Sequence, residues 1–282
     1  MLAPAAIVIT LLFGGGLFIA LLESLGCIAP AGVGGFTFKH YLELAMDREF
    51  RISLAVTLAI ATSTTIISAA LGLACALAMR GLALRRGWMN GMLQAPLAVP
   101  HLAMAVAIIS LIAPSGLIAR LAFLAGLIDA PSDFPVLIND RYGIGIVTAY
   151  VAKETPFVAV MTLALLLRIG DEYEALAGTL GASAWQRLRY VTLPLVAPAA
   201  LSASLVVFAF IFSAFETPYL MGRPFPAMLS VVAQRRFLDE NLGERPAAVA
   251  VAMVIALITA MLVWAYLRLA ERLTGTQRPL LF

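Results

Sequence analysis

Four ionisable side chains sit where a strongly apolar chain has little room for charge: His101 next to Pro100, the adjacent pair Lys153 and Glu154, and Glu216. A charge held inside a bilayer is expensive unless it is paired or hydrated, so such residues face a bundle interior or an aqueous path. Neighbours on a helix diverge by about 100° around its axis, which sends Lys153 and Glu154 to different partners rather than to each other. Pro96 and Pro100 lack backbone donors, and the carbonyls they leave free are tolerated in a membrane only where protein or a cavity satisfies them. Pro96, Pro100, His101, Lys153, Glu154 and Glu216 are therefore the candidate substrate-pathway residues. For Lys153 and Glu154 an interhelical bond is the equal alternative, and for Glu216 the simpler reading is a place at a span end.

Bond-breaking chemistry is missing from the same inventory. No GxxxxGK followed by Ser or Thr occurs to cradle a phosphate, and two histidines, His40 and His101, supply neither a Ser/His/Asp set nor a metal site. Cys27 and Cys75 have no CxxC spacing and read as packing residues. The chain is not expected to be an enzyme or to bind a cofactor of its own.

A different kind of chemistry, docking, is written into residues 171–194, DEYEALAGTLGASAWQRLRYVTLP. Its mixed polarity cannot lie in lipid. Asp171 and Glu174 have capping-box spacing, and Tyr173, Leu176, Ala177 and Leu180 fall on one helical stripe. Gly181 ends that helix. Ser183 and Gln186 repeat the capping spacing, Trp185, Leu188 and Val191 continue an apolar face, and Pro194 is expected to stop the second helix. A helix, a glycine turn and a second helix result, with an apolar stripe that needs a partner.

The segment resembles the EAA loop of the inner-membrane permease subunits of binding-protein-dependent ABC importers. In that pattern Glu-Ala-Ala is followed by three residues, Gly, nine residues, an aliphatic, one residue and Leu-Pro. Gly181, Val191, Leu193 and Pro194 match it, whereas Ala175 stands at the glutamate position and Glu174 lies one residue early. Glu172 and Glu174 are both candidates for the acidic contact. The resemblance implies that Glu172, Tyr173, Glu174, Ala175, Leu176, Gly181, Ala182, Trp185, Leu188, Leu193 and Pro194 couple the chain to a separate ABC ATPase. The Pro96/Pro100 pair, the span order and the stretch FETPYLMG around Glu216 extend the likeness from about Ala55 onward, toward permeases for polyamines, phosphonates, thiamine or ferric iron. It further implies an ATPase dimer, a second permease, expected to be a paralogue, and a periplasmic substrate-binding protein.

The elements that must position these residues follow from composition. Only 12% of residues are charged against 62% hydrophobic, and the mean hydropathy is +0.98, so this is a polytopic membrane protein rather than a soluble domain. The expected fold is all-α, with about six transmembrane helices and a cytoplasmic two-helix loop. Spans are expected near 5–26 (uncleaved, since no basic residue precedes Lys39), 53–79, from Gly91 onward, 143–167, 197–219 and 247–269, with 115–128 lying at the interface. Residues 1–50 hold the first span and its loop, and 51–282 the transporter domain. The net charge is only +3 and its basic residues are scattered, so nucleic acid is not a partner. An even number of spans puts both termini on one side. Basic residues divide nine to nine between the two sides, so the positive-inside rule does not orient the chain. The resemblance does, placing the loop and both termini in the cytoplasm of a bacterial inner membrane. A secondary transporter and a non-transporting scaffold are the alternatives; no internal repeat supports the first, and the second leaves the prolines and buried charges unexplained.

Overall fold

The computed structural model of the chain describes residues 3–28, 34–83, 87–170 and 172–274. Among them all regular structure is helical. α1 (Ala3–Ile9) runs through a π turn into α2 (Gly15–Ser24), followed by α3 (Lys39–Met46), α4 (Arg48–Ala83), α5 (Gly87–Ala98), α6 (His101–Ile112) and α7 (Leu117–Leu124). Then come α8 (Ile144–Ile169), α9 (Glu172–Thr179), α10 (Ala184–Arg187), α11 (Leu193–Ser213), α12 (Glu216–Met221), α13 (Leu229–Phe237) and α14 (Arg245–Thr274). Six stretches are long and apolar enough to cross a bilayer: Ala6–Ser24, Arg48–Arg80, His101–Leu124, Ile144–Ile169, Ala184–Ser213 and Leu242–Arg268. The chain is a polytopic all-α membrane protein.

The centre is the pairing of α4 with α8, onto which α11 packs. A Cβ on Gly72 would lie 2.7 Å from the Val158 Cβ, so the two backbones meet there as closely as a hydrogen allows. Val158, Tyr150, Val207, Ile211 and Phe212 fill the space between the three helices. α14 packs on α11 and carries α2 on its other side, so the first span is peripheral. Its side chains, Leu12 and Phe13 among them, are exposed in the isolated chain. Hydrocarbon is the solvent such a surface requires.

α13 is fastened to the start of α4 by polar bonds. Thr57 Oγ1 donates to the Ser53 carbonyl and accepts the Leu229 N–H at 2.9 Å, satisfying a donor in the first turn of α13. Asp47 caps α4 by accepting the Glu49 N–H at 2.8 Å and also takes a bond from Arg236, while Arg235 bonds Glu49. Partial burial pushes the Asp47 carboxyl up, but the Arg236 and backbone bonds outweigh it and hold the group below the usual carboxylate range.

Three expectations are corrected. The third span does not begin near Gly91: α5 ends at Ala98 and α6 starts at His101, because Pro100 cannot donate into a continuous helix. The apolar stretch of crossing length is His101–Leu124, itself divided by a turn between α6 and α7. The fifth span ends at Ser213, and Glu216–Met221 forms a separate short helix, α12, against α6 and α8. Pro194 does not stop the second loop helix. α10 passes through a π turn, Leu188–Thr192, into α11, and Pro194 sits in the first turn of α11. The π register already displaces the bond an interior proline would break, so the helix continues from Ala184 to Ser213. Asp171, Arg85, Arg86 and Arg278 lie outside the described residues.

Candidate functional site

The loop at the end of α8 is built from three capping devices. α8 stops at Gly170, whose φ of 71° lies in the left-handed region. After α9, the Gly181 N–H bonds the Gly178 carbonyl and the Ala182 N–H bonds the Ala177 carbonyl, both at 3.0 Å. That pair is a Schellman closure, and it requires the left-handed φ of +83° that glycine adopts freely. Ser183 and Gln186 then form the reciprocal capping box that their spacing implied: the Ser183 N–H bonds Gln186 Oε1 at 2.8 Å, and the Gln186 N–H bonds Ser183 Oγ at 3.3 Å.

The two acidic candidates are used differently. Glu172 is exposed, whereas Glu174 turns back toward the bundle and accepts bonds from Arg80, in the last turn of α4, and from Thr192, in the π turn. Arg80 also donates to the Gly170 carbonyl at 2.7 Å. Partial burial raises the Glu174 pKa, but the Thr192 and Arg80 bonds, with Arg187 adding attraction, hold it below the ordinary value. Tyr173, Leu176, Leu180 and Trp185 are 56%, 62%, 82% and 64% exposed. Leu188, Ala182 and Leu193 are half-buried, and Ala175 and Pro194 exposed. Between the helices Ala177, Leu180, Gly181, Ala182, Gln186 and Tyr190 line an open groove of about 390 Å³.

Inside the bundle the charged candidates find separate partners. The Lys153 ammonium donates to the Pro96 carbonyl at 2.7 Å and the Leu97 carbonyl at 3.0 Å. Glu154 bonds His101 Nε2 at 2.9 Å, and the His101 ring lies 4.3 Å from that of Phe210 on α11. Lys153 and Glu154 are 5% and 7% exposed. Helix α8 thus grips both halves of the broken third span, α5 through Lys153 and α6 through Glu154. Glu216 is exposed in the first turn of α12, which packs on the helices carrying His101 and Glu154. The structure gathers Pro96, Pro100, His101, Lys153 and Glu154 at one helix break and leaves Glu216 beside it. Arg80 and Thr192 were missed as site residues; the one signal was an arginine closing a span whose charge needed an acidic partner.

These features define a class: a multi-pass helical membrane protein whose buried charges bind helices together and whose two-helix loop leaves large apolar side chains exposed. Among the described residues no group of His, Cys, Asp and Glu could hold a metal ion. Residues 68–275 match the binding-protein-dependent transport system inner membrane component family, and the chain belongs to that family, one of transport components rather than enzymes. It is 27% identical over 268 residues to the inner membrane ABC transporter permease protein YnjC of Escherichia coli K12, covering 91% of this chain and 49% of that protein. It is 31% identical over 183 residues to the trehalose transport system permease protein SugA of Mycobacterium tuberculosis, covering 64% and 57%. The 2-aminoethylphosphonate transport system permease protein PhnV of Salmonella typhimurium, itself described as putative, is 26% identical over 240 residues, covering 85% and 82%. The chain thus spans about half the length of the first two relatives. A bacterial alginate ABC transporter in complex with an alginate-bound periplasmic protein shares the fold, with a TM-score of 0.80 at 18% identity over 98% of this chain and 94% of that one.

Proposed function

We propose that this chain is a permease subunit of an ABC importer, forming half of a translocation pathway in a bacterial inner membrane with both termini in the cytoplasm. The observation that carries the reading is the loop surface: Tyr173, Leu176, Leu180 and Trp185 stay exposed while Glu174, behind them, is bonded into the bundle. A helix-in-groove contact with a separate ATPase would bury that face. The chain binds no cofactor; ATP is hydrolysed by the partner dimer. A pair of ATPases pulling at two matched points needs two such loops, and the second comes from another permease chain, a paralogue. The departure at Ala175 from the glutamate of the EAA pattern favours two different halves. A periplasmic binding protein delivers the solute. The substrate is a small polar solute with cationic character, of polyamine type. Glu216, exposed beside the α6–α8 junction, supports that choice, and the names of the relatives, with trehalose and 2-aminoethylphosphonate, agree with small and polar. Purifying the tagged chain from its native host and measuring the mass of the intact complex tests the assembly. One copy of this chain, one related permease and two ATPases are expected. Two copies without a relative refute the heterodimer, and an absent ATPase refutes the permease reading.

A further inference from the structure

The polar junction behind the loop has a geometry that docking alone does not require. Arg80 closes α4 and Glu174 opens α9, 94 residues later in sequence, and their side chains are only 16% and 28% exposed. Thr192, 4% exposed, completes the set from the π turn that leads into α11, and the Gly170 carbonyl joins it from the end of α8. One carboxylate and one guanidinium therefore tie the first loop helix to the ends of three membrane helices, and those three are the ones that form the core. The apolar face of α9 has no such bonds.

We propose that the Arg80–Glu174–Thr192 junction is the link through which displacement of the loop reaches α4, α8 and α11, so that Glu174 is a positioning residue and not a contact to the ATPase. The proposal rests on the permease reading above. The planar Arg80 guanidinium holds the Glu174 carboxylate through one terminal nitrogen and the Gly170 carbonyl through the other, a fixed fork that a lysine point charge or an apolar contact does not offer. The docking acid is then Glu172, which is exposed one helical half-turn away. A π turn next to the junction suits this role, because π turns inside α-helices recur at functional sites.

The test uses the complex purified from its native host, in a Cys27→Ser, Cys75→Ser background carrying Ser213→Cys at the far end of α11. Three things are measured for parent, Glu174→Gln, Arg80→Gln and the double variant: ATPase retained on the tagged chain, thermal unfolding, and the change in maleimide labelling of the cysteine on adding ATP. All four are expected to retain the ATPase and unfold within a few degrees of each other. The ATP-dependent change in labelling rate should fall by about an order of magnitude in each single variant and no further in the double. Parental labelling in the single variants overturns the link. So do losses that multiply in the double variant, or loss of the ATPase from Glu174→Gln, which would make that residue a docking contact. A parental preparation with no ATPase overturns the permease reading itself, and the link with it.

Discussion

The ammonium of Lys153 lies 2.7 Å from the carbonyl oxygen of Pro96 and 3.0 Å from that of Leu97. Those acceptors are the ones a proline at position 100 strands. In an unbroken helix the N–H of residue 100 would bond Pro96, and that of residue 101 would bond Leu97. Pro100 has no N–H and an extended ψ of 147°, and the backbone bond that returns to Pro96 is one of 3.3 Å from Val99. A lysine from α8 supplies the missing donors.

Replacing Lys153 by Met should therefore destabilise the protein by about 1–3 kcal/mol, the range for a buried acceptor left without its donor. The same replacement in a Pro100→Ala background should cost less, because residue 100 regains an N–H that can reach Pro96. A double-mutant cycle on unfolding in mixed micelles reads the difference, with a coupling of about 0.5–3 kcal/mol expected between such neighbours. Strict additivity would remove the explanation.

The pattern of what could be read in advance follows from the range of each interaction. Ser183 and Gln186 are three residues apart, and their capping box is a local matter that spacing decides. Gly181 is legible for the same reason. Pro194 misled because its effect depends on the helical register, and a π turn leaves no mark in residue type. Arg80 and Glu174 meet across 94 positions, a contact that only the packing of α4 beside α8 creates. Lys153 lies between these cases: the stranded carbonyls announced that a donor was needed, while which donor came was settled by the tertiary fold.

Asp47 should separate capping from ion pairing at the far end of α4. Asp47→Asn keeps an oxygen for the Glu49 N–H and loses the charge facing Arg236; Asp47→Ala loses both. The first should cost a few tenths of a kcal/mol, the second about 1–2 kcal/mol, as cap removals do. Equal losses would mean that Arg236 carries the effect.

Acid should loosen the two-helix loop through Glu174. Its folded pKa lies below the ordinary 4.5 because Thr192 and Arg80 favour the carboxylate against its partial burial, with Arg187 contributing. A depressed folded value means the stabilisation is complete above the unfolded pKa and is lost as pH falls through the folded one. Hydrogen-exchange protection of residues 172–179, corrected for the intrinsic rate, should hold from pH 7 to 5 and then decline. Glu174→Gln should start lower and show little further change. A wild-type decline centred near pH 6 would point to a different group.

The last prediction distinguishes strain from charge at the turn between the loop helices. Gly181 holds a φ of +83°, and a Cβ built on it meets nothing within 4 Å, so a side chain there strains the backbone without any clash. Asn tolerates the left-handed region better than Ala, and Asp resembles Asn in that respect. On folding alone, Gly181→Asn and Gly181→Asp should therefore be alike and each milder than Gly181→Ala, all within about 1–2 kcal/mol. On coupling the order should change. Position 181 borders the groove between Leu180 and Ala182, and if an ATPase covers it, only Asp buries a new charge there. Insertion and thermal unfolding should then be similar across the three variants, while transport and ATPase retention are abolished in Gly181→Asp and largely kept in Gly181→Asn. Equal retention in Asn and Asp would show that this turn lies outside the docked surface, and the helix-in-groove contact would have to rest on Tyr173, Leu176 and Trp185 instead.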